Sequence, residues 1–186
     1  MHRLLCFWPL ALCVASLLSF PLSAWAELGL HLQPALGKPA PHGFEAVVAP
    51  DGSGAPAGEG TAEIGRPLYD AHCAACHGLD GKLAGNAIAG GIGSLRSARP
   101  NKTVGSYWPY ATTLFDYINR AMPYGNEKSL QADEVYAITA YVLHLNGLVP
   151  ATQVINADNL SQIEMPNRNG FRELPGFRPI SAEATR

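Results

Sequence analysis

Tyr69-Asp70-Ala71-His72-Cys73-Ala74-Ala75-Cys76-His77-Gly78 is the stretch on which the reading of this chain turns. Its two thiols stand three residues apart, on one turn of a helix, and a histidine follows at once. Several chemistries use these residue types. A structural zinc site takes four ligands, commonly from a second Cys or His pair, and no further C-x-x-C or H-x-x-x-H lies downstream. A thioredoxin-like redox pair opens a helix after a strand, and no strand pattern precedes Cys73. A chance match in an ordinary helix is the remaining alternative. The spacing fits attachment of a c-type haem, in which Cys73 and Cys76 add to the two vinyl groups of one porphyrin edge. His77 then directs its imidazole at the iron from the proximal side.

The amino terminus bears on the same question. Met1-His2-Arg3 is a short positive segment, Leu4 to Leu22 form an apolar run broken by Pro9 and Pro21, and Ala24-Trp25-Ala26 supplies a small-x-small cleavage site. This pattern predicts a signal peptide over residues 1–26 and a mature start at Glu27. An uncleaved membrane anchor is the alternative, for which about 19 residues is barely long enough. A lipid anchor on Cys13 fits poorly, because bulky Leu12 stands where a small residue is expected. Cys6 and Cys13 leave with the signal, so Cys73 and Cys76 remain. In an oxidising compartment such a pair should be tied up, and thioether bonds accomplish that.

Removal of residues 1–26 leaves 160 of the 186 residues, enough for one domain with its own core. Loss of Arg3 leaves 12 basic against 15 acidic residues. No basic stripe suggests nucleic acid, and no second apolar run suggests a membrane span after signal cleavage. The 19 glycines and 15 prolines concentrate outside the helical patterns. The fold expected is all-α, a small helical core around one haem, wrapped by long irregular segments.

Four segments follow. Residues 1–26 are the signal peptide. Residues 27–60 form an irregular arm punctuated by prolines, with Asp51-Gly52-Ser53-Gly54 as a turn and Leu28, Leu30, Leu32, Phe44, Val47 and Val48 as apolar anchors. Residues 61–147 form the core domain, and residues 148–186 an irregular wrapping tail. Within the core a first helix is expected from the Thr61 cap into the haem motif, with Pro67 distorting its first turn or moving its start to about Arg66. Gly78 ends it. Residues 83–106 are expected to be a glycine-rich loop covering a haem edge. A second helix is predicted over Tyr107–Ala121 with Pro109 in its first turn, and Pro123 enforces a stop after Met122. A third spans Ala132–Asn146, with Val135, Ile138, Val142 and Leu145 on one face and Gly147 as terminator. Tyr69 and Tyr136 are expected where the first and last helices cross, with Gly65 permitting close approach.

An iron held by His77 needs a second axial ligand, for which Met122 is the leading candidate. Pro123 ends its helix, so the thioether can be presented from extended backbone, and thioether sulfur raises the potential of a one-electron centre. Met165 also precedes a proline, Pro166, and is the alternative, but it lies in the tail beyond the last helix. A core role for Met122 also stays open, as does ligation by His31 or His42 of the arm. His72 and His144 read as surface or packing residues. Trp108 and Tyr110 suit the lining of a haem, with polar tips able to reach a propionate. Arg99, with Arg96 and Lys102, could neutralise propionate charge or be solvated loop residues.

With these residues in place, the chain resembles class I cytochrome c. More specifically it is similar to the monohaem cytochrome subunit of sulfur (sulfane) dehydrogenase, the SoxD type. The resemblance is carried by the run from Lys102 to Ile118, K-T-V-G-S-Y-W-P-Y-A-T-T-L-F-D-Y-I, and by Arg120-Ala121-Met122-Pro123. Glu134-Val135-Tyr136-Ala137, Ala140-Tyr141-Val142-Leu143, Asn156-Ala157-Asp158-Asn159-Leu160, Met165-Pro166-Asn167-Arg168 and Pro50-Asp51-Gly52-Ser53-Gly54 add to it, so that most of residues 36–171 is covered. The haem motif alone would name only the superfamily. What the resemblance implies is a class I cytochrome c fold of three main helices around one covalent haem c. It also implies a periplasmic electron-transfer subunit that is not catalytic alone. Its partners would be a molybdenum-cofactor subunit, which oxidises a sulfane sulfur or sulfite in thiosulfate oxidation, and a downstream c-type cytochrome or other electron acceptor. One C-x-x-C-H excludes the two-haem form. The alternatives are the cytochrome partner of another periplasmic dehydrogenase, a soluble shuttle to an oxidase, a haem enzyme or gas sensor with an open sixth position, and a structural domain with a disulfide.

Overall fold

The computed structural model describes residues 47–172 and 175–176, all within one compact unit. The expected signal peptide, His31, His42 and the arm anchors Leu28, Leu30, Leu32 and Phe44 lie outside the described residues, as does most of the chain after Arg172. The chain enters through Val48, which is buried and donates its backbone N–H to Asp116. It forms a short strand β1 (Glu59–Gly60), then helices α1 (Ala62–His72) and α2 (Ala74–His77). After a long connection come α3 (Val104–Tyr107), α4 (Ala111–Ala121) and α5 (Ala132–Leu145), and strand β2 (Ile155–Asn156) closes the order. Single 3₁₀ turns occur at Ser94–Arg96 and Leu160–Gln162. Three main helices, α1, α4 and α5, thus make the core, as expected.

Helix α1 starts at Ala62 rather than near Arg66. Thr61 caps it by accepting the Ile64 amide, and Glu63 sits favourably in the first turn. Pro67 is inside the helix, and the carbonyl it leaves without an intrahelical donor is that of Glu63. Both residues are exposed, so water can satisfy that carbonyl and the helix continues. The second expected helix is divided. Thr103 and Ser106 cap each other reciprocally to form the single turn α3. Extended backbone at Trp108 and Tyr110 then precedes α4 at Ala111, so Pro109 lies in a linker and not in a helical turn. Part of the expected loop over residues 83–106 is therefore the 3₁₀ turn and the start of α3. Helix α5 ends at Leu145, where Gly147, at φ +70°, donates to His144.

The first and last helices cross at Gly65. A Cβ placed there would lie 1.9 Å from the Ala137 carbonyl oxygen, so only glycine allows the two backbones this close. Tyr69 lies at the crossing but pairs with Tyr141, ring centroids 5.0 Å apart, whereas Tyr136 turns toward α4 and packs on Phe115 at 4.4 Å. The tail is more than a wrapping. β2 pairs antiparallel with β1, Gly60 opposite Ile155, and Val149, Ile155, Leu160, Ile163 and Met165 are all buried in the core. No physical boundary separates residues 148–165 from the helices before them. Among the described residues no helix is long and apolar enough to cross a membrane.

Candidate haem and electron-transfer site

A cleft of about 450 Å³ opens between α1, α2, α4 and α5. Helix α1 breaks at Cys73 (φ −124°, ψ −36°), and the single turn α2 carries Cys76 and His77 away at a new angle. Gly78, at φ +80°, ends that turn. Cys73, Cys76 and His77 all line the cleft. Cys73 is half-buried and Cys76 exposed, and neither is in a disulfide. Burial, reinforced by the neighbouring Cys76, pushes the Cys73 thiol up to about 11. That is the reverse of the lowered value by which redox-active thiols are recognised. Among the described residues no cluster of three or more His, Cys, Asp or Glu side chains could hold a metal ion, so a zinc site at the motif has no further ligands there.

His77 is oriented by its surroundings. Its Nδ1 lies 2.8 Å from the Asn86 carbonyl oxygen. A carbonyl only accepts, so Nδ1 carries the proton and Nε2 keeps its lone pair free for a metal. Asn86 is held in turn, donating its side-chain Nδ2 to the Cys76 carbonyl at 2.9 Å and its amide to Leu83, whose own amide returns to the His77 carbonyl. Tyr69 donates its hydroxyl to the Gly78 carbonyl at 2.8 Å, tying the end of the motif to α1. Burial raises the Tyr69 phenol far above its ordinary range, so it stays protonated and a donor.

Met122 reaches the same cleft from the end of α4. It caps the helix in extended conformation (φ −123°, ψ 150°) while its amide still donates to Ile118. Met165 is 1% exposed within the core and does not line the cleft. The two methionines, indistinguishable by their following prolines, are thus separated by position. Apolar side chains supply the rest of the lining: Ile138 and Val142 from α5, Leu114 and Ile118 from α4, Val104 from α3, Ile88 from the long connection, and Leu130. Trp108 also lines it, its ring edge-on to Tyr117 at 5.7 Å. His72 lies at the rim, exposed, and His144 is exposed, with Nδ1 3.0 Å from the Val149 carbonyl.

Tyr110 and Arg99 are not brought to the cleft. The Tyr110 ring lies beneath the Arg168 guanidinium at 4.8 Å, Arg99 stands exposed on its loop, and Arg96 and Lys102 also lie outside the lining. Sequence reading missed Asn86, which no pattern in a glycine-rich loop distinguishes. It also missed Asn146, whose position beside the helix-ending Gly147 was a usable signal. Buried Asn146 accepts from Gly90 and donates to Ile88 and Val142, pinning the loop that brings Ile88 to the cleft. The residues present suit a covalently held haem: paired thiols, an imidazole with a free Nε2, a thioether from another element and an apolar lining.

Comparison with known proteins agrees. A family model for cytochrome c matches residues 62–146. A chain in the crystal structure of the sulfane dehydrogenase SoxCD from Paracoccus pantotrophus is 39% identical with a TM-score of 0.69, over 77% of this chain and 71% of that chain. A search of curated proteins found no match. The chain belongs to the cytochrome c family, which implies covalent haem c, and is an electron carrier resembling SoxD, the cytochrome subunit of the sulfane dehydrogenase SoxCD.

Proposed function

We propose that this protein is a periplasmic monohaem electron-transfer subunit that accepts electrons from a molybdenum-containing sulfur or sulfite dehydrogenase subunit during thiosulfate or sulfur oxidation. Cys73 and Cys76 would hold the haem by thioether bonds, and His77 Nε2 and Met122 Sδ would bind its iron. When bound, haem c supplies one-electron transfer between ferric and ferrous iron. The chain's own residues do the rest. Asn86 fixes the proton on His77 Nδ1 and so the direction of Nε2. Met122 offers a soft donor that favours the reduced state. Leu114, Ile118, Ile138 and Val142 keep water out of the interior and so limit reorganisation on electron transfer.

The observation that carries the reading is that Cys73, Cys76 and His77, from the junction of α1 and α2, and Met122, from the end of α4, line one cleft. The likeness to a SoxCD chain supports the choice of partner. Export rests on the sequence pattern of residues 1–26, and the downstream electron acceptor would be another c-type cytochrome or an equivalent carrier. The test is purification of the tagged protein from its native host, with haem staining of a denaturing gel and metal analysis. Covalent haem, iron, and molybdenum in a co-purifying subunit support the reading. Haem without any molybdoprotein would favour a free shuttle.

A further inference from the structure

A second concavity, of about 680 Å³, shares no lining residue with the haem cleft. The tail, the long connection and α3 form it together: Arg96 comes from the connection, Ser106 from α3, and Glu164, Asn167, Arg168 and Asn169 from the tail. Its charge departs from that of the molecule. The chain carries a formal charge of −2, yet no acidic residue occurs between Asp80 and Asp116, a stretch that contains Lys82, Arg96, Arg99 and Lys102. Glu164 is the sole acidic residue between Asp158 and Arg172, a stretch that contributes Arg168.

The groove is built, not incidental. Asn167 donates to the Tyr107 carbonyl at 2.7 Å, Arg168 donates to the Ser161 carbonyl and lies over Tyr110, and Phe171 meets the Tyr107 ring edge-on at 5.1 Å. Lys102 covers the same Tyr107 ring at 5.0 Å. The Tyr107–Tyr110 linker therefore seats the tail. One wall also serves both concavities, since Val104 and Trp108 line the cleft and Ser106 between them lines the groove.

We propose that this groove docks an acidic, carboxylate-bearing segment of the partner protein, held by Arg96 and Arg168, directly behind the wall that carries Trp108. The proposal deepens the functional reading above by naming the face the dehydrogenase subunit grips. Charge selects the occupant. A polar groove with two guanidiniums against the single carboxylate of Glu164 recognises carboxylates by paired hydrogen bonds, and a basic concavity on an acidic protein steers one orientation of approach.

The experiment uses the full-length holoprotein and two probes, the molybdenum subunit and a labelled decaglutamate peptide, titrated over a range of salt. The wild type is expected to bind both, with affinity falling as salt rises. Arg96→Glu is expected to weaken both by about tenfold and flatten the salt dependence, with the haem spectrum and midpoint potential unchanged. Arg168→Gln, which keeps a donor toward Ser161, supplies the same test should Arg96→Glu lower the melting temperature. Undiminished affinity in these variants overturns the proposal. A shifted potential also overturns it, because the arginines would then serve the haem carboxylates. Glutamate binding without binding of the molybdenum subunit leaves the groove standing and refutes the partner named under Proposed function.

Discussion

Gly65→Ala adds one methyl group at the crossing that frames the cleft. The new Cβ would lie 1.9 Å from the Ala137 carbonyl oxygen and 2.4 Å from its carbonyl carbon, against the 3.0 Å below which real Cβ contacts essentially do not occur. The helices must therefore separate by roughly 1 Å, and no side-chain rotation can relieve a contact with backbone. Two opposing magnitudes decide the sign. Alanine is better than glycine in a helix interior by about 1 kcal/mol. Overpacking a fitted core costs about 1–3 kcal/mol and more where backbone must move. The upper end applies here, so a net loss of about 2 kcal/mol is expected, or a melting temperature lower by about 4–8 °C. Because Tyr69 and Ile138 on these two helices both line the cleft, the potential should shift as well. Thermal unfolding of the holoprotein by circular dichroism, with potentiometry, measures both. Gly93→Ala is the control, since at φ +81° with nothing within 4 Å it incurs only backbone strain, and neither it nor its chain neighbours line the cleft. A Gly65→Ala protein that melts at or above the wild type would refute the close crossing.

Met122→Ala should leave haem covalently attached, move the ferric spectrum toward high spin and lower the potential; an unchanged spectrum would exclude Met122 as ligand. Met165→Ala should instead cost about 2–5 kcal/mol of stability through the cavity it leaves, with the ferric spectrum retained. Deletion of residues 148–186 should prevent folding, because five buried apolar side chains at about 2 kcal/mol each equal the stability of a typical domain, whereas a stop after Arg172 should fold; limited proteolysis separates the two outcomes. Burial, with Asp158 adding to it, raises the Tyr136 phenol from 10.0 to about 12. The unfolded chain then ionises first on alkalinisation, so stability should be lost as pH rises from about 10 to 12. Tyr136→Phe should lessen that dependence, with buried Tyr69 and Tyr141, raised in the same direction, carrying the remainder, and should lose about 1 kcal/mol with the hydrogen bond to Pro56, as denaturant titrations over that range would show.

Much of this protein follows from local chemistry that the sequence states directly. The C-x-x-C-H turn needs only helical spacing to bring two thiols and an imidazole together. Pro123 ends α4 at Met122 because proline cannot continue a helix, and the apolar face of α5 follows from its period. Where local rules met a tertiary condition, they fell short. Pro67 is tolerated because the carbonyl it frees faces solvent, and Pro109 lies outside a helix because Thr103 and Ser106 close a turn before it. Tyr110 and Arg99 belong to the right stretch, yet the tail, not the haem cleft, claims Tyr110. The choice between Met122 and Met165 could not be made from two Met-Pro pairs. Place along the chain favours Met122, and packing agrees in burying Met165 in the core and leaving Met122 at the cleft. Asn86 and Asn146 act through partners distant in sequence, and the basic groove exists only because the tail folds back on the Tyr107–Tyr110 linker. Spacing and punctuation along the chain thus determined the helices and the chemistry of the motif, because those depend on neighbours within a turn or two. Which side chains share a cavity was decided only by long-range packing, because that depends on the whole core.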